Sequence, residues 1–413
     1  MADQSGELHQ AIAYLRSPGA IRERCQQLLA LGCAGELQHF ACDPARLADV
    51  AAYVIQVTRQ AYPDLNIPFH SRWRHFNAGG VDRLALLRQR LASLDRDEQA
   101  RCAIDLVMTS VLLDAGAGTA WGYYEAASDT VYRRSEGLAV ATFHMFLGGG
   151  FSSQADCPWQ ADAVGLQHIT DAMLAQAFQV TSDNPLIGLS GRTALLRRLG
   201  AAVAAAPHYF GTAPRLGHLY DYFRAQAAPG VLRAAEILRV LLDGLSPIWP
   251  GRLALGGVNL GDVWRHPRIT ACGLTAGLVP LHKLSQWLTY SMIEPLQEAG
   301  LSVVQIDDLT GLAEYRNGGL FLDFDVLMPK HAAVLARAHR PATDVVVEWR
   351  ALTVALLDQV AELIRTTLNL SAQELPLVKV LEAGTWRAGR QIAAARRPDG
   401  AAPLRIISDG TVF

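Results

Sequence analysis

The sequence predicts a mainly α-helical protein, a single helical domain with room for two lobes, and three observations carry that reading. Half of the 413 residues are apolar and only 18% are charged, enough to build a large core and too few charges for a disordered chain. Apolar residues recur at helical spacing wherever a period is legible, whereas strand-like alternation is confined to Ser302 to Ile306 and Leu404 to Ile407. No serine–glycine tract, charge run or internal repeat at a period of about 20–50 residues divides the chain.

Taken in order, helical patterns run through residues 6–39, 44–61, 81–113 and 161–180. From Leu195 the apolar residues Leu195, Leu196, Leu199 and Val203 oppose Arg192, Arg197 and Arg198, which is an amphipathic helix. Another pattern covers 216–245. Pro280 then opens a helix with Leu281, Leu284, Leu288 and Met292 as its core stripe and Lys283, Gln286, Trp287 and Tyr290 on a neighbouring face. Leu352, Leu356, Val360 and Leu363 mark a further helix, and 373–396 the last. The breaks at 62–80, 146–159, 183–192, 247–268 and 315–325 are rich in glycine, proline and aromatic residues, and long connections inside a compact protein usually serve a site. The glycines at Ala115 to Gly118 and Gly148 to Gly150 follow no strand and complete no dinucleotide-binding fingerprint.

Composition narrows the function classes. The chain has 37 basic and 39 acidic residues, a net charge of −2, so it lacks the basic footprint of a nucleic-acid binder. Six scattered cysteines form no C-x-x-C pair, which argues against a zinc knuckle or disulfide framework and for a reduced, cytoplasmic compartment. The polar amino terminus carries no secretion pattern, and the most apolar stretches fall short of the ~18 residues of a membrane span. Lysine occurs only at Lys283, Lys330 and Lys379, so each one stands out against the arginines.

Four segments concentrate chemistry. Tyr62 to Phe76 gathers Asn66, Phe69, His70, Arg72, Trp73 and His75; rings beside guanidinium groups suit an anionic, partly planar ligand, although the same rings would also staple a loop to the core. The five-residue offset of His70 and His75, with no third ligand, leads to an expectation of no metal. Ser182 to Thr193 feeds a helix; N–H groups at a helix start attract phosphate and Arg192 is at hand, but proline and glycine are equally at home at an ordinary structural helix entry. Lys283 falls early in its helix, where the dipole disfavours a cation, and Ile306 to Phe321 sets Glu314, Tyr315 and Arg316 among apolar residues and glycines. A carboxylate there needs a partner, such as Lys283 or Arg316, or a catalytic task. The tail, Leu381 to Arg390 and Ile406 to Phe413, is expected to dock and to bring Trp386, Arg390 and Asp409 over the site.

Tyr62-Pro-Asp-Leu-Asn-Ile-Pro-Phe-His-Ser-Arg-Trp, Gly188-Leu-Ser-Gly-Arg192, Leu312-Ala-Glu-Tyr-Arg-Asn-Gly-Gly-Leu320, Glu348-Trp-Arg350, Gly384-Thr-Trp-Arg-Ala-Gly-Arg390 and Ser408-Asp-Gly-Thr-Val-Phe413 together resemble the uracil-catabolism protein 4 family, also known as the domain of unknown function 1688, over the whole chain. More distantly, the order of Pro185-Leu, Gly-Arg192, His-Lys283-Leu-Ser-Gln286, Leu-Thr310, Leu-Ala-Glu-Tyr-Arg316 and Val-Glu-Trp-Arg-Ala351 is similar to the queuosine-5′-phosphate N-glycosidase family. That family is helical, shares features with helix-hairpin-helix DNA glycosylases, and uses a lysine and an aspartate at the two middle positions. The resemblance implies a glycosidase-like core at about 50–365, with 366–413 as a C-terminal helix and docked tail, and Lys283 and Glu314 as catalytic residues. Glu in place of Asp, and Asn317-Gly-Gly319 in place of a Val-Pro-Gln-like run, imply a leaving group other than queuine.

The expected activity is hydrolysis of the N-ribosyl bond of a 5′-phosphorylated ribosyl compound from uracil catabolism, without a cofactor. Arg316, Arg350, Arg72 and Arg192 are the expected anion binders, with Phe69, Trp73 and Trp349 as walls. The alternatives are an amidohydrolase acting on the ureido group of the same intermediate and a non-catalytic ligand-binding subunit. No nucleic-acid or membrane partner is expected.

Overall fold

A computed structural model describes residues 2–114, 116–227, 229–250, 252–270 and 273–407. About 58% of the chain is helical, and the strands among the described residues form only two-stranded sheets. The fold is mainly α.

Where the sequence showed unbroken helical patterns, polar caps divide them. The 6–39 pattern is two helices, Ala2–Leu15 and Pro18–Cys33, because the Ser17 Oγ accepts from the Ala20 N–H and Pro18 opens the second. The 81–113 pattern splits in the same way into Arg83–Arg90, capped by Asp82, and Arg96–Leu112, capped by Asp95. The opposite difference occurs at 315–325, expected as a break, where a helix runs over Tyr315–Asp323. Its glycines are set by packing: a Cβ on Gly318 would lie 2.5 Å from the Trp349 ring and 2.7 Å from the Thr353 hydroxyl.

The chain forms two compact units, each assembled from segments distant in sequence, one from residues 2–70, 252–286 and 306–407 and the other from 71–250 and 287–305. The first is built around the Asp344–Leu368 helix, which is buried on every face from Val345 to Leu357 and packs on the Pro18–Cys33, Leu47–Ala61 and Tyr315–Asp323 helices. A helix buried all round must satisfy its polar residues internally. Accordingly, the Glu348 carboxylate accepts from the Gln38 and His39 N–H groups, and the Thr353 hydroxyl donates to its own helix at the Trp349 carbonyl.

At the end of this unit Leu377–Val380 and Trp386–Arg396 are joined by a π turn at Leu381–Thr385. The last of these helices lies against the Tyr315–Asp323 helix so closely that a Cβ on Gly389 would stand 2.1 Å from the Arg316 carbonyl. Beyond it Arg397 grips Asp323 through two hydrogen bonds of 2.7 and 2.6 Å, and Arg405–Ile406 pairs in parallel with Ala338–His339. The described part of the tail is therefore docked on this unit. Asp409 lies outside the described residues.

The second unit packs Arg96–Leu112, Arg134–Leu147 and Leu189–Ala205 with a hairpin, Gly122–Glu125 and Thr130–Arg133, and a parallel pair, Val231–Arg233 with Ser302–Val304. No helix among the described residues is long and apolar enough to cross a membrane.

Candidate active site

Lys283 is the first residue of the Lys283–Glu298 helix. The helix begins three residues later than expected, because Pro280 closes a short strand, Leu278–Pro280, paired with Val263–Arg265. Asp262 sets the helix start. Its Oδ2 accepts from the Lys283 N–H at 2.9 Å, and its backbone carbonyl accepts from the Leu281 N–H at 3.0 Å. His282 turns the chain into the helix with a left-handed φ of +46°.

Asp262 is in turn held by Arg350, whose Nη1 and Nη2 donate to its two carboxylate oxygens at 2.7 and 2.8 Å, while the Trp264 Nε1 donates at 2.6 Å. Burial acts to raise the Asp262 pKa, but the Arg350 guanidinium overrides it and holds the carboxyl well below the usual carboxylate range. The Arg350 Nε donates to the Ala313 carbonyl at 3.4 Å, one residue before Glu314. One guanidinium thus fixes both the helix that starts with Lys283 and the segment that delivers Glu314. A second clasp joins the same elements: the Gln286 Nε2 donates to the Thr310 hydroxyl at 2.5 Å, and the Thr310 N–H donates to the Gln286 Oε1 at 2.8 Å.

Glu314 caps the Tyr315–Asp323 helix, its Oε2 accepting from the Arg316 N–H at 2.9 Å and its Oε1 from the Asn317 N–H at 2.5 Å. It is buried, with 8% exposure. Burial pushes its pKa up; the two backbone donors, the Lys283 ammonium and His70 oppose that without cancelling it. Beside the cap, the buried Asn317 Oδ1 has no hydrogen-bond partner, an acceptor of the sort that folded proteins seldom leave unused.

His70, also buried, presents Nδ1 at 2.8 Å from the Glu382 Oε2. The other oxygen of Glu382 accepts from the Tyr62 hydroxyl and the Arg387 Nη2, each at 3.1 Å, and the Trp386 ring stands 6.2 Å from the imidazole.

With this geometry established, likeness to known proteins becomes informative. Residues 14–413 match the family described as "Protein of unknown function (DUF1688)". The chain belongs to that family. It is 39% identical over 412 residues to a Schizosaccharomyces pombe protein called "Protein urg3", covering 98% of this chain and 99% of the relative. It is 36% identical over 436 residues to the Lachancea kluyveri "Uracil catabolism protein 4", with 97% and 99% covered.

In this DUF1688 chain the residues singled out in the sequence fall into two groups. Lys283, Glu314, Arg316, Tyr315, Arg350, Trp349, Asn66, Phe69, His70 and Trp386 belong to the first unit. Within it Arg316 donates to the Gly400 carbonyl at 2.7 Å and lies over the half-exposed Tyr315 ring. Trp349 is buried beneath Gly318, and exposed Asn66 forms a local turn with Asp64. Arg72, Trp73 and Arg192 belong to the second unit, where each is engaged. Arg72 pairs with Asp114 at 2.7 Å, Trp73 donates to Glu298 at 3.1 Å, and buried Arg192 donates to the Leu113, Ile187 and Gly116 carbonyls. Burial lowers the Arg192 pKa to about 10.

Sequence reasoning missed Asp262, Gln286, Thr310 and Glu382 as builders of the site. Gln286, Thr310 and Glu382 stood inside quoted segments without being given this role, and nothing local marked Asp262. Among the described residues no group of three or more His, Cys, Asp or Glu side chains is arranged to hold a metal ion.

Proposed function

We propose that this chain hydrolyses the N-ribosyl bond of a 5′-phosphorylated ribosyl compound in uracil breakdown, a ring-opened uracil ribotide or ribosylurea phosphate, releasing ribose 5-phosphate and urea or a ureido product. The observation that carries the reading is a buried carboxylate and an ammonium, Glu314 and Lys283, at the amino ends of two helices locked together through Arg350. The printed name of the Lachancea kluyveri relative supports placing the substrate in uracil catabolism.

Cleaving a C1′–N bond builds positive charge on the sugar and negative charge on the departing nitrogen. Glu314 suits the first charge, because a carboxylate clamped by two backbone N–H groups is preorganised and does not have to reorient as charge develops. The same clamp favours a stabilising and water-orienting role over that of a mobile nucleophile. Lys283 opposes, in part, the burial that disfavours ionised Glu314, and serves the leaving-group side. The Asn317 Oδ1 is an acceptor for a ribose hydroxyl or a ureido N–H. No step requires a cofactor.

The deciding experiment is incubation of the purified protein with ribosylurea 5′-phosphate, uridine 5′-phosphate and queuosine 5′-phosphate, followed by assay of ribose 5-phosphate. Release from ribosylurea 5′-phosphate is expected. No release from any of the three by folded protein sinks the reading, and ammonia or carbamate without sugar phosphate replaces it with an amidohydrolase.

A further inference from the structure

Resting on the N-ribosyl reading, we propose that His70 is the proton donor to the departing nitrogen and that Glu382 is its positioning residue. Three observations lead there. The first concerns Lys283. Glu314 is buried and depends in part on the lysine's charge to stay ionised, so a lysine that gave up its proton in the transition state would remove that charge as the sugar becomes cationic. A third group is therefore the better donor.

The second observation is the pair itself. An ionised carboxylate only accepts, so the 2.8 Å contact to the Glu382 Oε2 puts a hydrogen on the His70 Nδ1 and assigns proton exchange to Nε2. Glu382 is not free to swing, since its other oxygen is held by the Tyr62 hydroxyl and Arg387. The π turn that carries Glu382 packs against the Tyr315–Asp323 helix that Glu314 caps, and His70 acts electrostatically on Glu314.

The third is the backbone that delivers Glu382. It sits in the π turn Leu381–Thr385, an interruption of helical geometry of a kind often found at functional sites. The turn passes so close to the Leu47–Ala61 helix that a Cβ on Gly384 would stand 2.2 Å from the Val54 side chain.

In the step, the C1′–N bond breaks with its electron pair going to nitrogen, which takes the proton from Nε2 of the imidazolium. Water adds its oxygen to C1′ and gives a proton to Glu314; Glu314 then releases that proton to solvent, and solvent reprotonates His70. The sum is ribosylurea phosphate and water to ribose 5-phosphate and urea.

The test compares ribosylurea 5′-phosphate with ribofuranosyl fluoride 5-phosphate, whose leaving group is smaller than urea and departs without a full proton. His70→Gln and Glu382→Gln are expected to lower kcat on the urea compound by about 100-fold or more, within the usual range for a general acid. On the fluoride the loss should be at least tenfold smaller, and that residual turnover also reports folding. Equal losses on both compounds, or no loss on the urea compound, overturn the assignment. If the wild-type protein cleaves neither compound, the N-ribosyl reading itself has failed; release of ribose 5-phosphate from the urea compound alone leaves that reading standing and overturns the assignment of His70, which expects turnover of the fluoride.

Discussion

Replacing Arg350 by methionine separates a structural arginine from a ligand-binding one. Arg350 and Asp262 are 1% and 13% exposed. Without the guanidinium, Asp262 keeps only the Lys283 N–H and the Trp264 Nε1 as side-chain partners, a buried carboxylate with no counter-charge. Breaking a buried pair from one side costs roughly 3–5 kcal/mol. For a cooperative unit of this size each kcal/mol is worth about 2–4 °C, so Tm at pH 7 should fall by about 6–20 °C. The sign with pH follows from linkage. In the wild type the folded pKa of Asp262 is depressed, so its stabilisation is present above the ordinary value of 3.8 and is lost only as pH falls through the depressed one. In the variant, burial is opposed only by the Lys283 N–H and Trp264 Nε1 hydrogen bonds and raises that pKa, so the penalty is full at pH 7 and is relieved as pH falls toward 4. Differential scanning calorimetry at both ends of that window checks it, and adding Asp262→Asn should restore part of the loss at pH 7. An Arg350→Met protein with unchanged Tm and a raised KM for ribosylurea 5′-phosphate would refute the reasoning and return Arg350 to the ligand.

Glu314→Gln should lower kcat by about 100-fold or more with little change in Tm, since the removal of a buried charge offsets the one backbone N–H that then faces the amide nitrogen; calorimetry beside the sugar phosphate assay reads both. The raised pKa of Glu314 means that its active, ionised form is lost as pH falls through a value above the ordinary 4.5. The acid limb of kcat/KM should therefore lie above that value and move higher still in Lys283→Met. Lys283→Arg should cost activity while Lys330→Arg, which alters an ammonium bound to the Gly35 and Leu37 carbonyls, should not; steady-state assays of the two variants decide. Asn317→Leu should raise KM about tenfold with Tm unchanged or higher, because an orphaned buried acceptor costs roughly 1–3 kcal/mol that the ligand recovers; a lowered Tm with normal KM would make the amide structural.

Local chemistry was legible in the sequence, and long-range pairing was not. Glu314 stood out as a carboxylate among glycines and apolar residues, and Lys283 as a rare lysine near a helix start. The Asp344–Leu368 helix showed in its repeat of leucine and valine. The Asp262–Arg350 pair spans 88 residues and leaves no periodic trace. Arg350 was visible as a cation, but what it binds is a property of the folded chain, and the same holds for Arg72 and Arg192, whose partners are internal. The helix after Glu314 was hidden for another reason. Two adjacent glycines lower helix propensity, yet here they let the helix lie against Trp349 and Pro403, and packing outweighed propensity.

The same contrast explains why an arginine-rich chain keeps a lysine at position 283. Where a carboxylate offers both oxygens to side chains, as Asp262 and Asp323 do, an arginine fork takes them. Glu314 gives one lone pair of each oxygen to a backbone N–H of the helix it caps. A compact ammonium needs only one lone pair on one oxygen. It supplies the charge that counters burial and leaves the helix cap intact. Under the proposed mechanism the charge of Lys283 opposes the burial of a carboxylate that two N–H groups hold in place, which is the role that Lys283→Arg tests.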